Sequence, residues 1–409
     1  MMQCRHCRAD LSLPFIDLQT APPSNSYLTA AQLAAPEKWY PLWVQVCTSC
    51  WLVQTEDYAH FSELFSSDYA YFSSYSSSWL RHAEAYVAGM VERFDLGPGS
   101  HVVEVASNDG YLLQYVKGRG IPCLGIEPTA STARAAREKG IDVVEEFFGV
   151  VLARQLVAQG KAADLTAANN VLAHVPDIND FVAGFAQLLK PAGVATFEFP
   201  HLMRMVGECQ FDTIYHEHFS YLSLSAVNTI FKANGLSVFD VQELGTHGGS
   251  LRVFAQRSDT GKQPTTAAVT ELLAREASAG VSSEAYYKGF QERADRIKDD
   301  LLTFLIRAKR ERKSVGGYGA AAKGNTLLNY AGVRANLLPW VVDLNPAKQG
   351  KHLPGSRVPI VDEAYLRREK PLYVLILPWN LRAEVMEQLA YIRTWGGQFV
   401  SAVPELRAQ

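Results

Sequence analysis

Long apolar runs are missing from this sequence. Nowhere do roughly eighteen apolar residues follow one another, as a membrane-spanning helix requires, and the opening Met1-Met2-Gln3-Cys4-Arg5 has no apolar signal segment. The expectation is a cytoplasmic protein without a membrane partner. An excess of charge of one sign is missing too. Thirty-nine Lys and Arg against 42 Asp and Glu leave a formal net charge of −3. Such a chain carries no basic field, so nucleic acid is not an expected partner. Fixed-period repeats and low-complexity tracts are also absent, which excludes a solenoid or a tail-like segment. The chain is otherwise of ordinary globular composition, 48% hydrophobic and 20% charged over 409 residues. That length predicts two or three domains. Little in it speaks to oligomeric state, and a monomer or weak homodimer is expected.

Cysteine is scarce, with six in the chain, yet four of them form two equal spacings, Cys4-Arg5-His6-Cys7 and Cys47-Thr48-Ser49-Cys50. Each pair can bring two thiolates to one metal, and two such knuckles close a tetrahedral zinc site. Disulfides are the alternative, disfavoured in a reducing cytosol. A closed four-thiolate site leaves no position open for substrate, so this zinc is expected to be structural. Cys123 and Cys209 fit no such pattern. The aromatic and serine-rich passage from Phe65 to Trp79 follows; it suggests a linker or lid that either supplies phenols to a polar ligand or packs one domain on the next. Helical apolar spacing begins at Trp79 and runs to Phe94.

From residue 101 short apolar runs alternate with helical stretches. Strands are expected at 101–105, 120–126, 142–144, 165–168 and 194–199, which predicts a doubly wound sheet binding ligands at the carboxyl ends of its strands. Glu104 lies in the first of these strands, and Glu127 ends the second, where an acid can take both ribose hydroxyls of a nucleoside. The intervening turn, Ala106-Ser107-Asn108-Asp109-Gly110, is no GxGxxG loop. Asn108 and Asp109 stand where a pyrophosphate requires bare backbone and no added negative charge. A ligand with a cationic centre fits better, which favours S-adenosylmethionine over NAD. A helix at 224–234 and two strands, 237–241 and 251–255, follow; strands this close can pair only as antiparallel neighbours.

The chemistry is expected in Phe211-Asp212-Thr213-Ile214-Tyr215-His216-Glu217-His218-Phe219-Ser220-Tyr221. Two imidazoles flank a carboxylate, with a phenol on either side. Histidine exchanges protons near neutrality, a carboxylate beside it can orient it and raise its basicity, and a tyrosine can donate to developing negative charge. The helical HExxH spacing of a zinc protease is missing. Taken alone, the triplet is equally compatible with a polar loop.

The last third carries a competing signal. A long helix is expected from the spacing of Phe290, Ala294, Ile297, Leu301, Leu305 and Ala308. Gly317-Tyr318-Gly319-Ala320-Ala321-Ala322 follows, then a strand at 338–342 and Asp343, which together read as a dinucleotide fingerprint. An NAD-dependent oxidoreductase is therefore the rival reading. It requires a second lobe for substrate, and the roughly eighty-five remaining residues complete only one small α/β unit.

Several motifs taken in order carry a resemblance: Glu104-Val-Ala-Ser-Asn-Asp-Gly110, Gly125-Ile-Glu127-Pro128, Asn169-Asn170-Val-Leu-Ala-His174-Val-Pro-Asp177 and Leu188-Leu-Lys-Pro-Ala-Gly193. With CxxC/CxxC before them and Tyr215-His216-Glu217-His218-Phe219-Ser220-Tyr221 after them, the chain resembles the sugar C-methyltransferases, which methylate nucleotide-linked 4-keto-6-deoxyhexoses at C-3. The glycine-poor first loop is similar to that subfamily's variant. The resemblance implies an α/β fold: a class I methyltransferase, Rossmann-like sheet flanked by an N-terminal zinc-binding module and a smaller C-terminal α/β Rossmann-like domain. The domains would span residues 1–70, 71–284 and 285–409. S-adenosylmethionine would be held by Glu104, Asn108, Asp109, Glu127, Phe147 and Asn169, and structural zinc by Cys4, Cys7, Cys47 and Cys50. His218 would remove the C-3 proton, with Glu217 as its partner or on sugar hydroxyls, and Tyr215, Tyr69 and His174 on the sugar and the enolate oxygen. His216 would be structural. The C-terminal domain would hold the nucleotide diphosphate, with Lys323 cradling phosphates and Lys348, Lys351 and Arg357 adding positive charge for substrate binding. An O-methyltransferase and a non-catalytic nucleotide-sugar-binding protein are the remaining alternatives.

Overall fold

A computed structural model describes residues 2–58 and 72–409. Residues 65–71 of the passage expected as linker or lid, Tyr69 among them, lie outside the described residues. Strands β1 (Leu13–Ala21), β2 (Tyr40–Val46) and β3 (Val53–Thr55) pair antiparallel in sequence order. Leu42, Val44 and Val46 of β2 point inward while Pro41 and Trp43 face out, the alternation of a sheet buried on one side.

The middle of the chain builds five parallel strands: β4 (Val102–Val105), β5 (Cys123–Ile126), β6 (Val143–Val144), β7 (Ala163–Asn169) and β8 (Leu189–Pro200). Helices cover both faces, so β4 is buried along its whole length. Then β9 (Ser220–Tyr221) leaves this layer and pairs with β3 of the first sheet. Strands β10 (Leu236–Leu244) and β11 (Ser250–Arg257) return as the expected antiparallel pair, with β11 also antiparallel to β8. The full order is β10-β11-β8-β7-β4-β5-β6. Strand order reverses between β4 and β7, and a crevice opens at such a switch point.

The last sheet has the order β14-β13-β12-β15-β16-β17, from β12 (Val315–Tyr318), β13 (Val341–Val342), β14 (Ile360–Val361), β15 (Tyr373–Ile376), β16 (Gln398–Ser401) and β17 (Arg407–Ala408). It is parallel except for β17. The strand expected from Leu338 begins only at Val341, because Pro339 has no N–H to give a ladder. The long helix runs from Phe290 to Arg310, and its buried stripe is the expected one with Phe304 added. Phe290 stacks on Phe15 of β1 at 4.4 Å between ring centroids, so the first and last sheets share one hydrophobic core. Among the described residues no helix is long and apolar enough to cross a membrane.

Candidate active site

The four paired cysteines converge. Cys4 Sγ lies 3.5 Å from Cys50 Sγ, Cys7 Sγ lies 3.4 Å from Cys47 Sγ, and all four sulfurs fall within 4.8 Å of one another. Tetrahedral zinc with bonds of about 2.3 Å separates its sulfurs by about 3.8 Å, so the donor set fits structural zinc. The first knuckle reaches directly to the middle domain. Arg5 donates to the Pro176 carbonyl at 2.9 Å and to the Thr55 carbonyl at 2.6 Å, and its guanidinium lies over the Phe219 ring. Asn179 donates to the His6 carbonyl, and Thr55 donates through its N–H to the Phe219 carbonyl. The zinc module thus grips the segment that follows His174 and the strand that follows His218.

A cavity of about 450 Å³ lies at the carboxyl ends of β4, β5 and β7. At one end its wall includes Asn108, Glu127, Phe147 and Asn169. The turn after β4 puts Ala106 at φ 59° and Asn108 at φ 49°, a curl that leads the chain around the cavity. Glu127 accepts from the N–H groups of Asn108 and Thr129, both at 2.9 Å, which fixes its carboxylate. Burial raises its pKa against those two bonds. Asn169 Oδ1 is buried with no hydrogen-bond partner among the described residues, an acceptor left for a ligand. Phe147 is 56% exposed at the rim, open to a flat apolar group. These features fit S-adenosylmethionine.

Two residues expected in this group are placed elsewhere. Glu104 is wholly buried beneath the cavity, and burial pushes its carboxyl well above the usual range. Asp109 turns toward Lys139, 3.3 Å away, instead of joining the cavity wall. Glu104 lies within β4, and its position in the strand sets the direction of its side chain; that of Asp109 depends on the curl of the turn.

At the other end stand His174, Tyr215, Glu217, His218, His247, Lys323 and Asn25. His218 Nδ1 is 2.8 Å from the Thr213 carbonyl, which can only accept, so Nδ1 carries the hydrogen. Its Nε2 is then the acceptor and takes the Tyr215 hydroxyl at 2.7 Å. His174 lies edge-on to His218 at 4.5 Å between centroids. Burial holds the pKa of His218 well below the ordinary value, helped by His174, Lys323 and His247, and lowers His174 to about 4. Both rings are neutral at physiological pH. One expectation is corrected: Glu217 does not partner His218, whose ring nitrogens belong to Thr213 and Tyr215. Glu217 Oε2 instead accepts from Asn25 Nδ2 at 2.6 Å. His216 Nε2 donates to the Pro41 carbonyl at 3.1 Å, away from the cavity, in keeping with a structural role.

Of the four expected phosphate ligands, only Lys323 lines the cavity. It sits 4.5 Å over the Trp379 ring, donates to Asn380 Oδ1 at 3.2 Å, and is lowered to about 8 by burial. Asp212, whose Oδ2 accepts from Trp379 Nε1 at 2.7 Å, opposes that shift, and burial raises its own carboxyl to about 6. Lys348 instead donates to the Ala320 carbonyl at 2.8 Å, and Arg357 is exposed beside Glu37. Lys351 lies half-buried off the cavity. Asp343, the acid of the glycine-rich fingerprint, accepts backbone N–H groups from Ala320 and Asn345 at 2.8 Å each, and Lys348 lies 3.6 Å from its Oδ2.

Sequence reasoning missed the supports. His82 and Arg252 each reach Glu198 Oε2 at 2.9 Å, and Glu198 Oε1 accepts from Thr246. This buried network sits under the loop that brings His247, at φ 54°, to Asn170. The next residue, Gly248, has φ 91°, and a Cβ there would meet Trp379 at 2.5 Å, so the loop can close on the last domain only without a side chain. Trp79 packs against His82, Tyr111 and His247. Long-range pairings of this kind leave no local pattern in the sequence.

Comparison with known proteins gives three family matches along the chain. Residues 4–65 match a family model described as a zinc binding domain, residues 79–241 a methyltransferase domain, and residues 245–404 a C-methyltransferase C-terminal domain. C-methyltransferase NovU of Streptomyces niveus is 33% identical over 407 residues, covering 99% of this chain and 96% of that protein. Ubiquinone biosynthesis O-methyltransferase of Rhizobium rhizogenes is 23% identical over 224 residues, 52% of this chain and 73% of its own. Magnesium protoporphyrin IX methyltransferase of Synechocystis PCC 6803, solved with S-adenosylmethionine, matches 44% of this chain and 79% of its own with a TM-score of 0.34 at 17% identity. The chain belongs to the S-adenosylmethionine-dependent C-methyltransferases that carry an N-terminal zinc-binding domain.

Proposed function

We propose that the enzyme methylates C-3 of a nucleotide-linked 4-keto-6-deoxy sugar, TDP-linked by preference, with His218 as the base. The observation that carries this reading is the tautomer of His218: a neutral ring whose Nε2 lone pair is turned to the cavity-lining Tyr215 hydroxyl. A ketone acidifies the adjacent C–H because the resulting charge moves onto oxygen. His218 Nε2 takes the C-3 proton, and the C–H electron pair passes into the enolate. The Tyr215 hydroxyl shifts from Nε2 to the C-4 oxygen as charge builds there, and His174 supports the same oxygen. S-adenosylmethionine, when bound, would supply an electrophilic methyl group to C-3, with the methyl–sulfur bond breaking as the carbon–carbon bond forms and S-adenosylhomocysteine leaving. Holding the two reactants at opposite ends of one cavity accounts for much of the rate. Glu217 binds sugar hydroxyls, and Lys323 provides positive charge for the diphosphate. Tyr69 is retained as a further candidate sugar ligand.

The product identifies the reaction. After incubation with S-adenosylmethionine and a TDP-4-keto-6-deoxyhexose, carbon NMR should show a new methyl on a quaternary carbon. A methoxy signal would instead make the enzyme an O-methyltransferase, and a mass unchanged after prolonged incubation would point to a binding protein for such sugars.

A further inference from the structure

Asn25, far from Glu217 in sequence, joins it in the cavity wall by a direct hydrogen bond. It belongs to a short segment, Pro22-Pro23-Ser24-Asn25-Ser26-Tyr27-Leu28, that leaves β1 and runs between the catalytic loop and the last domain. Two consecutive prolines restrict its backbone before it docks. The last domain then fixes it at three points. Asn325 Nδ2 donates to the Ser24 carbonyl at 2.6 Å, and the Tyr27 hydroxyl donates to the Ala320 carbonyl at 2.7 Å. Leu28 exchanges backbone hydrogen bonds with His352 at 2.9 and 2.8 Å. Between these anchors the Asn25 carboxamide reaches Glu217 Oε2 at 2.6 Å.

We infer that Asn25 is a positioning residue of the active site, which sets the orientation of the Glu217 carboxylate toward the sugar and so makes the N-terminal module part of the sugar subsite. An amide N–H can only donate, so it fixes the Glu217 oxygen that receives it. A hydrogen bond to a charged group is also among the stronger ones. The anchors to the last domain make the geometry stiff: Asn25 cannot follow Glu217 if the carboxylate rotates. The argument rests on the reading above, in which Glu217 faces the sugar.

The test is a double-mutant cycle in the full-length zinc-loaded enzyme. Asn25→Ala should lower kcat/KM for the nucleotide sugar about tenfold while the Kd for S-adenosylmethionine stays unchanged. Asn25→Asp, which keeps the shape but opposes a second carboxylate to Glu217, should lower it at least as far. In a Glu217→Gln background, Asn25→Ala should add little. An equal loss in both backgrounds, a parallel loss of cofactor affinity, or wild-type turnover in Asn25→Asp overturns the inference. If Glu217→Gln is impaired while Asn25→Ala behaves as wild type, only the inference falls. If Glu217→Gln itself turns over as wild type, the role given to Glu217 falls, and the inference with it.

Discussion

Tyr215 donates its hydroxyl to His218 Nε2 at 2.7 Å, while the other nitrogen of the same ring is committed to the Thr213 carbonyl. The lone pair that would act as base is therefore already aimed at the cavity, and the phenol that covers it is also the nearest donor for an enolate oxygen. Tyr215→Phe should keep the base but lose the donor. We expect turnover to fall about 10²- to 10³-fold, as for loss of one oxyanion donor, with S-adenosylmethionine affinity unchanged by calorimetry. Wild-type turnover would remove Tyr215 from the chemistry.

The pH dependence has a definite sign on each side. His218 must be neutral to act, and its pKa lies well below the ordinary 6.5, so activity should persist down through pH 6.5 and fail only at lower pH. Lys323 must be charged to hold a diphosphate, and its pKa is lowered to about 8, so kcat/KM for the sugar should fall as pH rises through that value. Lys323→Arg should move the alkaline limb upward, because arginine does not deprotonate in this range. Asp212→Asn should move it downward, since the Asp212 charge raises the lysine. A profile with the alkaline limb unmoved in both variants would contradict the assignment.

Zinc should matter to turnover although no thiolate touches the cavity. Arg5 and His6, inside the first knuckle, hold Pro176 and Asn179, and β3 holds the strand beyond His218. Stripping the metal with a strong chelator should abolish turnover and lower the thermal midpoint, with both restored by added zinc. Full turnover in metal-free enzyme would contradict this coupling.

Glu127 is fixed by two backbone N–H groups in the cavity wall. Glu127→Ala should weaken S-adenosylmethionine about 10- to 100-fold, the range for a lost hydrogen bond to a charged group. The sugar KM should change little. Glu104→Gln, by contrast, should leave the cofactor Kd close to wild type, because Glu104 does not reach the cavity.

Much of this architecture is legible in the sequence because it is periodic or local. The buried runs of β4, β5 and β7 and the stripe from Phe290 to Ala308 follow from spacing alone. So does the convergence of four cysteines, since each CxxC presets half a metal site. What the sequence hides is direction and distance. Glu104 and Asp109 flank the end of β4, where a ligand is expected, yet Glu104 sits inside the strand and is buried beneath the cavity, while the left-handed turn at Ala106 and Asn108 carries Asp109 to Lys139. The neighbours Glu217 and His218 look like a dyad, but adjacent residues point apart: His218 pairs with Tyr215 and Thr213 of its own loop, and Glu217 reaches Asn25 through the tertiary fold. Lys348 and Arg357 lie off the cavity for a related reason: Lys348 is drawn to Asp343 and the Ala320 carbonyl, and Arg357 to Glu37, pairings which no local motif announces.

The most direct test of the central claim compares His218→Asn with the wild type in a single turnover, alongside calorimetry with S-adenosylmethionine. The account predicts methyl transfer to carbon slowed by about 10² to 10⁴, the usual contribution of a general base, with cofactor affinity intact. Transfer at the wild-type rate would contradict it.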